Sequence, residues 1–357
     1  MNVRFFNPGL SYQKIRHEVL PEIDRVLESG KLILQSDGEQ FEREMEKYLG
    51  VKHFLGVANG TDALLLVQKA LGIGEGDEVI CVSHTFIASF SETIKLGARP
   101  ILVDIGDDYL IDPKKIIQSI TPRTKAIIPV HLSGDVANMT EILRIAKEHN
   151  LYVIEDAAQA MGAEHDGKKA GTMGIAGTFS FYPAKILGCY GDGGGIATND
   201  DALYEELKEM RNHYKSTYTK IGYNSRLDNV QAAVLSIKLR YLDSWIARRR
   251  EIGEMYNEQL KGINGLTLPT DRPVYQDYVI RAAQRDELKK FLDVAGVQTL
   301  GDDSMAYHER KELGLNFDLP NTVQYTREFL RLPCNPDLTD DEVRYVISKV
   351  REFYYGV

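Results

Sequence analysis

Between about residues 50 and 200, short runs of apolar and β-branched residues alternate with longer stretches whose apolar positions recur every three or four residues. The short runs fall at 79–83, 100–104, 126–132, 151–155, 178–182 and 195–198. This alternation predicts an α/β fold with a mainly parallel central sheet sandwiched between helices. Several of the runs are apolar throughout, as strands covered on both faces should be. The first 48 residues read as helices with a polar connection at 35–39, packed outside the sheet. Residues 227–260 carry a long, charge-studded helical pattern with no proline to stop it. The domain boundary is expected inside that pattern, which gives a large domain over 1–245, including the N-terminal helical segment, and a small C-terminal domain over 246–357. The small domain mixes strand and helix patterns through 276–280, 286–295 and 340–353. Neither an internal repeat nor a low-complexity tract interrupts the chain.

Composition narrows the class of protein. A chain of 357 residues that is 43% hydrophobic can bury a substantial core. Its 43 basic and 52 acidic residues leave a formal charge of −9, with no long basic run to track a phosphate backbone, so nucleic acid is excluded as a partner. The N-terminal MNVRFFNPGLSYQK has no apolar core of signal-peptide length, and no apolar run approaches the roughly 18 residues that would span a bilayer. A cytoplasmic enzyme with no membrane association is expected. Cys81, Cys189 and Cys334 are odd in number and widely scattered, which forms neither a disulfide framework nor a zinc site, and no metal is expected.

Three segments carry candidate chemistry. In TFSFYPAKILGCYGDGGGIAT, residues 178–198, a strand delivers Lys185 into a loop, and Gly191, Gly193, Gly194 and Gly195 let the backbone pass close to something bulky. A lysine amine is a nucleophile only when neutral, and a partly desolvated pocket lowers its pKa far enough for Schiff-base chemistry. In VIEDAAQ, residues 153–159, Asp156 stands at the carboxyl end of a buried strand, where open α/β sheets place ligands. A carboxylate there would keep a pyridine nitrogen protonated, and Gln159 would project from the same side of the turn. Asp156 could equally cap a following helix. In NGTDAL, residues 59–64, a glycine-containing turn opens a helix after an apolar run, which suits a phosphate, although plain capping by Thr61 or Asp62 is open too.

Taken together, SFYPAKILGCYGDGGG around Lys185, VIEDAAQAMGA around Asp156, NGTDAL around Gly60 and Thr61, and GYNSRLDNVQ at 222–231 resemble the DegT/DnrJ/EryC1/StrS family of sugar aminotransferases. The resemblance runs from about residue 34 to 242 and resumes near 332–346. It implies an aspartate-aminotransferase-like fold of the pyridoxal-phosphate-dependent type, pyridoxal 5'-phosphate as cofactor, and a homodimer whose active sites are built from both subunits. By the same resemblance Lys185 is the Schiff-base lysine and proton shuttle, Asp156 faces the pyridine nitrogen, and Gln159 lies near the phenolate oxygen. Gly60, Thr61 and Ser180 would hold the phosphate, with Asn224 reaching it from the other subunit. Phe86 matches the aromatic that stacks on the ring, and reads equally as a core phenylalanine. Arg226 matches a position near the anionic part of the substrate, and reads equally as a surface arginine.

The resemblance further implies amination of a nucleotide-linked keto sugar with L-glutamate as donor. The chain departs from the family pattern at Asp135 and over residues 297–303 followed by Tyr307 and His308, in the small lobe that borders the sugar pocket. These departures keep a second reading open, a transaminase of a non-sugar ketone such as an amino-cyclitol precursor or a small phosphorylated keto compound. A sugar dehydratase is disfavoured because such relatives carry histidine where this chain has Lys185. A cofactor-binding sensor without turnover would need neither Lys185 nor Asp156.

Overall fold

A computed structural model describes residues 1–269, 274–301 and 306–356. The chain begins with two helices, α1 (Pro8–Ser29) and α2 (Ser36–Leu49). It continues through β1 (His53–Val57), α3 (Gly60–Ala70), β2 (Glu78–Val82), α4 (Ala88–Lys95), β3 (Arg99–Val103), α5 (Pro113–Ser119), β4 (Thr124–Ile127), α6 (Met139–His149) and β5 (Tyr152–Asp156). A small hairpin, β6 (Glu164–His165) and β7 (Lys168–Lys169), precedes β8 (Ala176–Ser180), β9 (Gly194–Thr198) and α7 (Asp201–Met210). Seven strands form one sheet in the order β1-β9-β8-β5-β4-β2-β3. Only β9 runs against its neighbours, so the carboxyl ends of β1, β2, β4, β5 and β8 share one edge. Every residue of β2 and of β9 is buried, which is why those runs are apolar without alternation.

The N-terminal connection differs from the expected one. Gly30, left-handed at φ 66°, ends α1, and residues 35–39 form the cap and first turn of α2. Asp37 and Glu39 there complement the positive end of the helix dipole, and Asp37 is buried against Arg25. A polar run at a helix start has the composition of a loop.

The long helical pattern is likewise two helices, α8 (Asn229–Leu239) and α9 (Leu242–Leu260). The amides of Arg240 and Tyr241 bond three residues back, to Ile237 and Lys238, which tightens the chain and breaks the α-helical ladder. Tyr241 stacks on Trp245 with ring centroids 5.9 Å apart, and its hydroxyl donates to Glu18 of α1. The break is therefore made by tertiary anchoring, without glycine or proline.

α9 passes from one core to another. Leu242 and Ile246 belong to the core around the seven-stranded sheet, whereas Ile252, Tyr256 and Leu260 belong to a second core. That core lies against a four-stranded antiparallel sheet built from β10 (Leu266–Thr267), β11 (Tyr278–Ala282), β12 (Leu300–Gly301) and β13 (Phe329–Leu332), in the order β10-β11-β13-β12. Helices α10 (Arg285–Val294) and α12 (Asp340–Tyr355) cover it, and α11 (Pro320–Glu328) leads into β13. Val3 is also in this second core and bridges to Val297, so the first residues pack with the small lobe and not with the large one. No helix among the described residues is long and apolar enough to cross a membrane.

Candidate active site

The carboxyl edge of the large sheet faces the second lobe across a cavity of about 1040 Å³. Gly60, Thr61, Phe86, Asp156, Gln159, Ser180 and Lys185 all line it. Residues from four strand ends thus converge although up to 125 positions of sequence separate them.

Lys185 lies in the connection from β8 to β9 and is half-buried. Its backbone amide donates to the Tyr182 carbonyl at 2.8 Å, which closes a turn and aims the side chain at the cavity. Burial holds its amine below the usual lysine range; Asp277 and Asp156 pull it back up, and Arg331 adds to the depression. A neutral, nucleophilic amine is consequently available at lower pH than for a surface lysine.

Asp156 ends β5 and is buried. One carboxylate oxygen accepts from the Ser89 hydroxyl at 2.7 Å, and Ser89 is itself 2.7 Å from the Thr85 hydroxyl. The other accepts from the Ala158 amide at 3.2 Å within a turn. No helix follows β5 before α7, so Asp156 is not a helix cap. Behind it Glu155 is fully buried and accepts from His131, Gly171, Met173 and Gly174, a structural carboxylate that ties β5 to two loops. Gln159 is steadied by the Ser133 amide, which donates to its side-chain oxygen at 2.9 Å.

At the start of α3 the cap is Asn59, whose side chain accepts from the Asp62 amide at 2.8 Å while its carbonyl accepts from Ala63. Thr61 and Asp62 are not the cap. Among the described residues the amides of Gly60 and Thr61 have no acceptor, at the positive end of a helix of 11 residues. The turn is packed hard against the hairpin: a Cβ on Gly60 would lie 2.9 Å from Ser180 Cβ, and one on Gly194 only 2.3 Å from the Asn59 carbonyl carbon. A Cβ on Gly195 would meet the Phe54 ring at 2.1 Å. What Gly194 and Gly195 accommodate is therefore protein: Gly194 lets the amide-bearing turn sit beside Ser180, and Gly195 makes room for the Phe54 ring of β1.

Phe86 is 62% exposed at the cavity, which removes the reading of it as a core residue. Asn224 and Arg226 do not line the cavity of their own chain. Asn224 is exposed and bridges to Asn212, and Arg226 donates to the Asn212 side chain at 2.9 Å. Between them, Ser225 accepts from the Ala58 amide at 3.1 Å, so this segment abuts the outside of the turn that carries Gly60.

The chain matches the DegT/DnrJ/EryC1/StrS aminotransferase family over residues 13–351. It belongs to that family. Among similar proteins, a dTDP-3-amino-3,6-dideoxy-alpha-D-galactopyranose transaminase of Aneurinibacillus thermoaerophilus is 44% identical over 97% of each chain. A protein of Geobacillus stearothermophilus named as a pleiotropic regulatory protein is 40% identical over 99% of each. The solved structure of Streptomyces venezuelae DesV in complex with a ketimine intermediate superposes with a TM-score of 0.96 at 40% identity, covering 100% of this chain and 99% of that one.

Aminotransferases of the DegT/DnrJ/EryC1/StrS family depend on pyridoxal phosphate. The donors on this cavity fit that group: acceptor-free amides beside a hydroxyl for a phosphate, a buried carboxylate for a ring nitrogen, and a lysine with a depressed pKa for an aldehyde. Sequence reasoning missed the second lobe's share of the wall, which includes Arg249, Gln276, Asp277 and Arg331, and the N-terminal Phe5 and Phe6. The one available signal was the pair Gln276 and Asp277, polar residues set between Tyr275 and Tyr278 at the start of an apolar strand. Of the departures from the family pattern, Asp135 bonds the Val136 amide and does not line the cavity. Gln298, Leu300 and Tyr307 do line it, and His308 is buried against Ser83. Asp302 and Asp303 lie outside the described residues.

Proposed function

We propose that this aminotransferase moves an amino group from L-glutamate to the keto group of a nucleotide-linked sugar, at carbon 3, in a cytoplasmic homodimer with shared active sites. The observation that carries this reading is the convergence on one cavity of the depressed lysine amine, the buried carboxylate and the acceptor-free amides. The name of the Aneurinibacillus relative supports the substrate class and the position, since its product carries the amino group at carbon 3 of a dTDP-linked sugar.

When bound, pyridoxal phosphate supplies an aldehyde that takes up the amino group and a ring that delocalises the electron pair of a broken C–H bond. Lys185 would hold that aldehyde through its amine, and the same amine would serve as the base and acid that moves a proton at the donor's α-carbon. Asp156, held by Ser89 and the Ala158 amide, keeps the ring nitrogen protonated. Gly60, Thr61 and Ser180 bind the phosphate through amides and a hydroxyl, and Asn224 of the second subunit completes that site. Gln159 would donate to the ring's oxygen and Phe86, exposed on the cavity wall, would pack on the ring, while Arg226, which does not line its own chain's cavity, would meet the anionic part of the sugar nucleotide in the second subunit's site.

Two spectroscopic steps test the reading. L-Glutamate alone should convert the cofactor to its amino form, read by loss of the visible band. The amino form, offered a panel of ketones, should return to the starting spectrum fastest with dTDP- or UDP-linked 3-keto sugars. Faster reaction with free cyclitol ketones or small phosphorylated ketones would replace the substrate, and no conversion by any donor would favour a binding protein without turnover.

A further inference from the structure

The connection that carries Lys185 is held from the other lobe. The Gln276 side chain donates from Nε2 to the Ala184 carbonyl at 3.0 Å and accepts at Oε1 from the Ile186 amide at 3.0 Å. One carboxamide thus satisfies both peptide groups that flank the lysine, in the manner of a neighbouring strand. Among the described residues no other group bonds that carbonyl or that amide.

Gln276 is itself firmly placed. Arg249, buried in α9, donates from Nη1 to the carbonyls of Tyr275, Gln276 and Cys334 at 3.0, 3.1 and 2.6 Å. On the other side Gly134, at φ 97°, brings the loop after His131 so close that a Cβ there would stand 2.7 Å from the Gln276 nitrogen. The Asp277 amide completes the contact by donating to the Ser133 carbonyl at 3.4 Å.

We propose that Gln276 is a positioning residue for Lys185, fixing from the second lobe the backbone on both sides of the lysine and thereby where its amine stands in the cavity. This rests on the reading of Lys185 as the cofactor lysine. It gives the lobe interface a task in the reaction: a shift of the second lobe moves the amine. The charged groups that face Lys185 are Asp277 on the approach to β11, Asp156 at the end of β5 and Arg331 on β13, with Arg331 Nε 3.6 Å from the Asp277 carboxylate. Desolvation outweighs the two carboxylates, and it does so only while the amine is held in its buried place.

The test uses the cofactor-free protein first. The pH dependence of Lys185 acetylation by acetic anhydride, read by peptide mass spectrometry, reports the midpoint of its amine. Gln276→Met has similar length and no hydrogen bonds, so the freed connection should let the amine move toward water and its midpoint rise toward the ordinary lysine value. Asp277→Asn removes a facing carboxylate without freeing the connection, so its midpoint should move down. In the loaded enzyme Gln276→Met should lower kcat about 100-fold, the scale of a misplacement of about 1 Å, with little change in the KM for L-glutamate. Gln276→Asn, a shorter amide that cannot span both peptide groups, should behave the same way if the Met variant does not fold.

A folded variant with the wild-type midpoint and kcat would overturn the proposal. So would failure of both variants to fold, which would leave Gln276 a purely structural role. Borohydride reduction of the loaded wild type separates the two levels: label on another lysine removes the reading of Lys185, while label on Lys185 with unchanged Gln276 variants removes only this inference.

Discussion

Asp156→Asn is expected to keep the fold and bind the cofactor while turning over about 100- to 1000-fold more slowly than the wild type, the scale seen when a pre-placed electrostatic partner is removed. The carboxylate lies at a strand end, buried and oriented by the Ser89 hydroxyl and the Ala158 amide. Asparagine has nearly the same shape, and its oxygen can accept from the Ala158 amide while its NH2 donates to the Ser89 hydroxyl oxygen, so the turn should survive. An amide carries no charge, however, and cannot hold a ring nitrogen protonated. Steady-state kinetics together with cofactor titration check this. Turnover near that of the wild type with cofactor bound would return Asp156 to anchoring its own turn.

The second large effect is a gain of activity. Asn224→Asp would set a carboxylate against the cofactor phosphate, and like charges at that range cost cofactor affinity. Lys185→Ala removes the amine. Each homodimer should be nearly inactive at limiting cofactor. In a mixed dimer one site collects both defects, and the other has Lys185 from one chain and Asn224 from its partner. Mixing the two inactive proteins under conditions that exchange subunits should therefore restore activity, up to one working site per heterodimer. The motive in the structure is that Asn224 is exposed and does not line its own chain's cavity, although its neighbour Ser225 touches the strand-end turn beside Gly60. Verified exchange without return of activity would place Asn224 on its own chain's site or away from the cofactor.

The strands were legible because parallel strands covered on both faces are written as short, unbroken apolar runs: the runs at 79–83 and 100–104 differ from β2 and β3 by a single residue at each end. Asp156 and the Gly60 turn were legible for a related reason, since strand ends in such sheets carry the polar residues that meet a ligand. The break between α8 and α9 was not, because Tyr241 is held by Glu18, some 220 residues away, and no local residue signals it. Gln276 was hidden likewise. Its two bonds reach back 90 and 92 residues, and a glutamine before a strand has no meaning until the lobes are folded together. The glycines after Lys185 were visible, but their neighbours, Phe54 and Asn59, come from the first strand and its turn.

The central claim is that Lys185 is the residue on which the cofactor is held. Reduction of the cofactor-loaded protein with borohydride, followed by digestion and mass spectrometry, tests it directly. The mass of the reduced cofactor is expected on the peptide containing Lys185 and on no other. Label on a different lysine, or none at all in protein that has bound the cofactor, would contradict the account.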